Sequence, residues 1–153
     1  TGVPFLMITP DARAAGMGDI GVATSADVYS QQWNPAKYVF SEDKIGLGIS
    51  YTPYLSKLVD DIFLANITFY KKNSNRSSWA TSLKYFSLGD IQFNEFIGGS
   101  IIDQGIERPN ELTFDLSYSL LLGKKISMAV ATRFIFSKSF NLQYLFFKII
   151  SLT

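Results

Sequence analysis

Few residues in this chain are able to do chemistry, and their spacing argues against most reactions. Adjacent carboxylates occur at Glu42-Asp43 and Asp60-Asp61. Acid–base work by a pair needs two carboxyls converging on one point, whereas neighbours in an extended segment point to opposite faces. Serines are plentiful, but the 153 residues include no His and no Cys. A serine hydroxyl therefore lacks its usual imidazole base, and thiol nucleophiles, disulfides and most zinc sites are excluded together. The run "GMGDIG" (16–21) mimics the G-x-G-x-x-G of dinucleotide sites. It lacks both the preceding strand and the long following helix that would hold a pyrophosphate. These residues predict a protein that is not an enzyme and has no cofactor or metal site. One charged pair remains, Asp115 and Arg133, and its meaning depends on the strands that carry it.

Those strands are legible in "ELTFDLSYSLLLGKKISMAVATRFIF" (111–136). Even positions are apolar but for one Thr: Leu112, Phe114, Leu116, Tyr118, Leu120, Leu122, then Ile126, Met128, Val130, Thr132, Phe134 and Phe136. Odd positions are mostly small or polar: Thr113, Asp115, Ser117, Ser119, then Ser127, Ala129, Ala131 and Arg133. A period of two marks a strand, and the central "GKK" marks a tight turn. Keeping Leu122 opposite Ile126 puts Asp115 directly across from Arg133 on the polar face. A charge inside a lumen is held better as a pair than alone. The pair is expected to be a structural ion pair facing inward rather than a filter or ligand contact.

Further strands are expected at 45–52, 61–71 and 79–88, each with one oily face. Ile45, Leu47, Ile49 and Tyr51 alternate with Gly46, Gly48, Ser50 and Thr52. Phe63, Ala65, Ile67 and Phe69 share a face, as do Trp79, Leu83 and Tyr85. A water-facing sheet normally carries Lys, Glu and Thr on its second face. Here that face is Gly, Ser, Ala, Thr and Asn, which suits a crowded barrel interior. Aromatic residues near strand ends (Tyr51, Phe69, Tyr70, Trp79, Tyr85, Phe136) suit interfacial girdles. A soluble sandwich or lipocalin-like barrel is the alternative. The fold class expected is all-β, an antiparallel transmembrane β-barrel, of which this chain supplies about five or six strands. The connections at 53–60 and 89–110 are expected at one rim, and the turns at 71–77 and 123–125 at the other. Residues 89–110 read as a long connection whose Ile97, Ile101, Ile102 and Ile106 suit protein docking.

Composition agrees with this reading. Aromatic residues reach 15% while charged residues are only 18%, against roughly 25% in an average soluble domain. The net charge of +1, with no basic run, leaves no nucleic-acid footprint. No stretch approaches the roughly 20 apolar residues of a membrane helix. If the protein is exported, Thr1 lies at or after a cleavage site. Residues 1–43 read as irregular with short helical pieces, one of them capped by Ser25 and ended by Asn34-Pro35.

The stretch "DARAAGMGDIGVATSADVYSQQWNPAKY" (11–38) resembles the amino-terminal signature of FadL-type outer-membrane proteins. The residues that match are Ala15, Gly16, Met17, Gly18, Gly21, Val22, Ala23, Asp27, Trp33, Asn34, Pro35 and Ala36. With the leader "GVPFLMITPDARAAGMGD" the chain is most similar to the PorV (LptO) family. The resemblance implies a fourteen-stranded barrel with an N-terminal hatch at 1–43, and transmembrane strands over 44–136. It implies outer-membrane localisation, lipid and lipopolysaccharide as surroundings, and a place in the type IX secretion system of Bacteroidetes. Partners would be a SprA-type translocon, the carboxy-terminal signal domains of secreted cargo, and an attachment complex with a PorU-type sortase. The hatch motif would be Gly16, Met17, Gly18, Gly21, Asp27, Trp33, Asn34 and Pro35. A FadL-like channel for hydrophobic compounds, or a truncated non-functional copy, are the alternatives. "SKSFNLQYLFFKIISLT" (137–153) loses the alternation. It reads either as a divergent tail, the end of a truncated or frameshifted product, or as a last strand of unusual composition.

Overall fold

The computed structural model describes residues 4–54, 61–97, 100–137 and 142–152, with backbone only for 91–104, 107 and 142–152. Six strands form one antiparallel sheet: β1 (Ile45–Pro53), β2 (Ile62–Ser74), β3 (Ser77–Leu88), β6 (Asn110–Leu121), β7 (Ser127–Ser137) and β8 (Leu142–Leu152), in the order β1-β2-β3-β6-β7-β8. β4 (Ile91–Ile97) and β5 (Ser100–Glu107) pair only with each other. The sheet is open, so it is part of a barrel wall rather than a closed barrel. None of the described helices is long and apolar enough to cross a membrane.

The two faces of the sheet are inverted relative to a water-soluble protein. Leu47 and Ile49 are 62% and 67% exposed, and Ile67, Phe69, Trp79, Leu83, Phe114, Leu116, Tyr118, Val130, Phe134 and Phe136 are exposed with them. Buried on the other face are Asn66, Thr68, Ser78, Ser82, Lys84, Thr113, Asp115, Ser117 and Ser119. The N-terminal segment causes this burial. It consists of a 3-10 turn (Pro4–Met7), α1 (Ala12–Gly16), α2 (Ser30–Trp33) and a 3-10 helix (Pro35–Phe40), the last two of which lie against the strands.

The register of β6 on β7 pairs Asp115 with Arg133 and Leu120 with Met128, as the alternation requires. Several expectations need correction. Residues 89–110, expected as one long connection, contain the β4–β5 hairpin. Its alternation is interrupted by a register shift between Gln92 and Asn94 and by Gly105 at φ 98°, which hides the period of two. The polar turn at 71–77 shrinks to Asn75-Arg76, since β2 and β3 run on past the apolar band to Ser74 and Ser77. Residues 142–152 form a strand whose register pairs Val130 with Ile149 and Phe134 with Leu145. Its bulky composition hides the alternation, but its backbone completes the hydrogen bonding of β7. Residues 55–60, which belong to the expected loop at 53–60, lie outside the described residues.

Candidate functional site

The site is the contact between the N-terminal segment and the inner face of the sheet. α1 begins at Asp11, whose carboxylate accepts from the Ala14 N–H at 2.9 Å. That capping satisfies one of the free amide groups of a helix start. The chain then turns through Gly18 and Asp19, at φ 78° and 62°. Asp19 accepts a hydrogen bond from the Thr9 hydroxyl, closing the turn. Gly21 packs on Trp33 so closely that a Cβ there would lie 2.3 Å from the ring, so only glycine fits. Gly16 meets nothing within 4 Å, and Met17 is exposed.

α2 begins later than expected, with Tyr29 rather than Ser25 at its cap. Asp27 explains the shift. Its carboxylate accepts from the Tyr29 N–H (3.1 Å) and the Ser30 hydroxyl (3.1 Å), while the Asp27 N–H donates to Ser30 Oγ (3.0 Å). The reciprocal bonds start the helix three residues further on. Asn34 ends α2 and opens the following 3-10 helix by accepting from the Ala36 N–H at 3.1 Å, with Pro35 at the first position where no N–H is needed. Thus Asp27, Asn34 and Pro35 set the local path, while Gly21 and Trp33 seat one stretch on another. Arg13 approaches Asp27 to 3.6 Å.

The segment is held mainly by donors on the wall. Thr68 donates to the Val28 carbonyl (2.8 Å), Lys72 to that of Ser41 (2.7 Å) and Ser127 to that of Ala36 (2.8 Å). Ser117 donates to Gln31 Oε1 at 2.6 Å. Lys84, buried, reaches Gln32 Oε1 at 2.7 Å and the Ile8 carbonyl at 3.2 Å. Tyr38 stacks on Tyr70 with centroids 4.7 Å apart, and its hydroxyl bridges the Val28 carbonyl and the Gln31 N–H. Tyr70 is therefore inward-facing and buried, a correction to its expected place in an outer aromatic girdle. Tyr51, Phe69, Trp79 and Phe136 are exposed on the outer face, and Tyr85 is half-buried there.

Gly46 and Gly48 on β1 admit this segment. A Cβ at Gly46 would lie 2.2 Å from the Tyr70 ring and 2.8 Å from Val28; one at Gly48 would lie 2.7 Å from Val28. Sequence reasoning missed these glycines, Lys84, Tyr38 and the Gln31-Gln32 pair. The signal was present: glycine inside a strand marks close approach of another chain segment, and a lysine among small polar residues needs acceptors.

Two ionisable groups inside the segment are shifted by burial. Desolvation pushes the Asp11 carboxyl up, against the Ala14 N–H that holds it down. Desolvation pushes the Lys37 ammonium down, opposed by the charge of Asp27. Lys37 donates to the Gly21 carbonyl at 2.6 Å and to Thr24 at 3.2 Å, clasping the 21–24 loop. Trp33 Nε1 and Asn66 Nδ2 are buried without a partner among the described residues.

Beside this contact lies the charged pair. Arg133 donates from Nε and Nη2 to both Asp115 oxygens at 2.6 and 2.7 Å, and Ser82 adds a bond of 3.2 Å to Asp115 Oδ2. The arrangement is a two-point fork, the strongest geometry for a guanidinium and a carboxylate. Of the expected docking residues, Ile106 is 64% exposed. Ile97 lies in β4 and Ile101 and Ile102 in β5, with side chains outside the described residues. Among the described residues, no three acidic side chains gather closely enough to hold a metal ion.

No curated protein matches the chain. Residues 1–144 match the family described as Type IX secretion system protein PorV. That match takes in the whole N-terminal segment and all strands from β1 to β7, so the chain belongs to the PorV family of type IX secretion system proteins.

Proposed function

We propose that the chain forms a lipid-facing section of an outer-membrane barrel wall, with residues 1–43 as a hatch, and acts as a docking and shuttling component. In this reading it receives cargo from a SprA-type translocon. It then carries the cargo by its carboxy-terminal signal domain to an attachment complex containing a PorU-type sortase. The observation that supports it best is the inversion of the sheet: an apolar, aromatic-rich outer face around a buried polar interior. Exposing that much apolar surface to water would be unfavourable at roughly 25 cal/mol per Å², and hydrocarbon removes the cost. The inner ion pair of Asp115 and Arg133 is assigned a structural role, tying β6 to β7 without narrowing a pore. Gly16, Met17, Gly18, Gly21, Asp27, Trp33, Asn34 and Pro35 are assigned to shaping the hatch. Cargo and translocon contacts are assigned to the rim that carries the β4–β5 hairpin and Ile106.

Membrane fractionation followed by affinity purification of the full chain tests this. The expected result is retention in the outer-membrane fraction and recovery of a translocon subunit with it. Residence in the soluble fraction would overturn the membrane reading. Membrane residence with uptake of hydrophobic compounds lost on deletion, and no translocon subunit recovered, would replace the shuttle with a channel.

A further inference from the structure

At one rim of the sheet a cleft of about 260 Å³ opens, lined by Asp61, Phe63, Tyr85, Ser87, Asp90, Arg108 and Asn110. Its floor is part of the outer face. Phe63, Ser87 and Asn110 are cross-strand neighbours in one row, and Tyr85 lies one step nearer the apolar band. Tyr51, Phe63 and Tyr85 continue as a tilted aromatic row with centroids 5.3 and 5.8 Å apart. Above this floor three connections bring charge together. Arg108 donates to both oxygens of Asp90 at 2.6 and 2.9 Å, and the charge of Asp61 also acts on Arg108.

The cleft is thus apolar where it joins the outer face and bears both signs of charge where it leaves it. We infer that it binds the head of a lipid carrying phosphoethanolamine, with the phosphate toward Arg108 and Asn110, the ammonium toward Asp61 and Asp90, and the acyl chain running down from Phe63 and Tyr85. The reasoning is charge complementarity. Among the described residues, two carboxylates beside one guanidinium leave an excess of negative charge in the lining, which disfavours a purely anionic head. A primary ammonium offers hydrogen-bond donors that a quaternary one lacks. Continuity of the floor with the apolar face selects a lipid over a soluble ligand. The assignment rests on the outer face being in contact with lipid.

The full chain, reconstituted in vesicles of equal phosphatidylethanolamine, phosphatidylcholine and phosphatidylglycerol, is first scored for bilayer insertion by flotation. It is then extracted, and its retained lipids are quantified by mass spectrometry. Phosphatidylethanolamine is expected to be enriched over both others. Asp61→Asn and Arg108→Gln are each expected to lower that enrichment roughly threefold, in line with the strength of exposed ionic contacts. Lys124→Gln, at the opposite turn, is expected to leave it unchanged. Asp61 lies outside the Arg108–Asp90 pair, so its variant reads the site even if loss of Arg108 unseats the β4–β5 hairpin. Equal retention of the three lipids, or enrichment indifferent to Asp61→Asn, overturns the site while leaving insertion intact. Failure to float overturns the membrane reading itself and the site with it.

Discussion

Replacing Arg133 by Gln tests whether the inner face is a true interior. Asp115 is only 4% exposed, and the Arg133 side chain keeps 26% of its exposure. The guanidinium supplies two short bonds to Asp115, and Ser82 supplies one longer bond. Removing one partner of a buried ion pair costs about 3–5 kcal/mol because the other charge is left uncompensated. The partial exposure of Arg133 and the surviving Ser82 bond argue for the lower end, about 3 kcal/mol. Asp115→Asn should cost less, since Arg133 can turn toward solvent. The double variant Asp115→Asn/Arg133→Gln should be more stable than Arg133→Gln alone, because two neutral amides can still pair across β6 and β7. Urea unfolding of vesicle-bound protein measures this, with Trp33 and Trp79 as separate fluorescence reporters of the N-terminal segment and the outer face. Single variants each costing under about 1 kcal/mol, adding without coupling, would mean an exposed surface pair. They would refute the buried-interior argument.

Three further outcomes follow from the same geometry. Gly46→Val should loosen the N-terminal segment by about 1–3 kcal/mol, because its side chain enters the space of Tyr70 and Val28; limited proteolysis within residues 12–40 should accelerate while the strands stay protected. Lys84→Met keeps the packing but removes the donor to Ile8 and Gln32, at about 1–3 kcal/mol for the unmet acceptors. Hydrogen exchange should rise around those residues, and unchanged exchange would remove Lys84 from the attachment. Arg108 holds the Asp90 carboxyl below its ordinary value of 3.8 through its hydrogen bonds. A depressed carboxylate contributes stability that is present above that ordinary value and lost as pH falls through the lowered one. Exchange protection at the base of the β4–β5 hairpin should therefore be level from pH 7 to 5 and fall only below about pH 4, and a loss already at pH 6 would contradict the pairing.

The sheet was legible because its alternation is unbroken where it matters. Leu122 and Ile126 around a three-residue turn leave one register that keeps both on the oily face, and a slip of one residue would invert the sheet. The family followed from a short motif whose residues have local duties: Asp27 and Asn34 start helices, Gly21 lies on Trp33. Legibility failed where the period is broken or masked. Gly105 and the shift beside Gln92 conceal the β4–β5 hairpin, and bulky residues on successive positions conceal β8. It failed again where a residue's task is set across the fold. Tyr70 falls on the inward parity of β2 with Asn66 and Thr68, but its aromatic type near a strand end suggested the outer girdle, and nothing local says that Tyr38 awaits it.

The inner face also explains a feature of composition that alternation alone leaves open. About half of residues 4–44 lie outside helical turns, and the carbonyls of Ile8, Val28, Ala36 and Ser41 take bonds from outside the segment. Buried carbonyls without donors are costly in any interior and more so beside hydrocarbon. The wall answers with hydroxyls and ammonium groups: Thr68, Ser127, Lys72 and Lys84 donate to backbone carbonyls, and Ser117 and Lys84 donate to the side-chain oxygens of Gln31 and Gln32. Serine and threonine supply a donor with little bulk, which lets the segment approach closely, while lysine spans the wider gaps. Larger apolar residues on this face would leave those carbonyls unmet; carboxylates would repel them. The small polar face of the strands and the irregular N-terminal segment are thus two halves of one hydrogen-bonded solution, and neither would be stable in this form without the other.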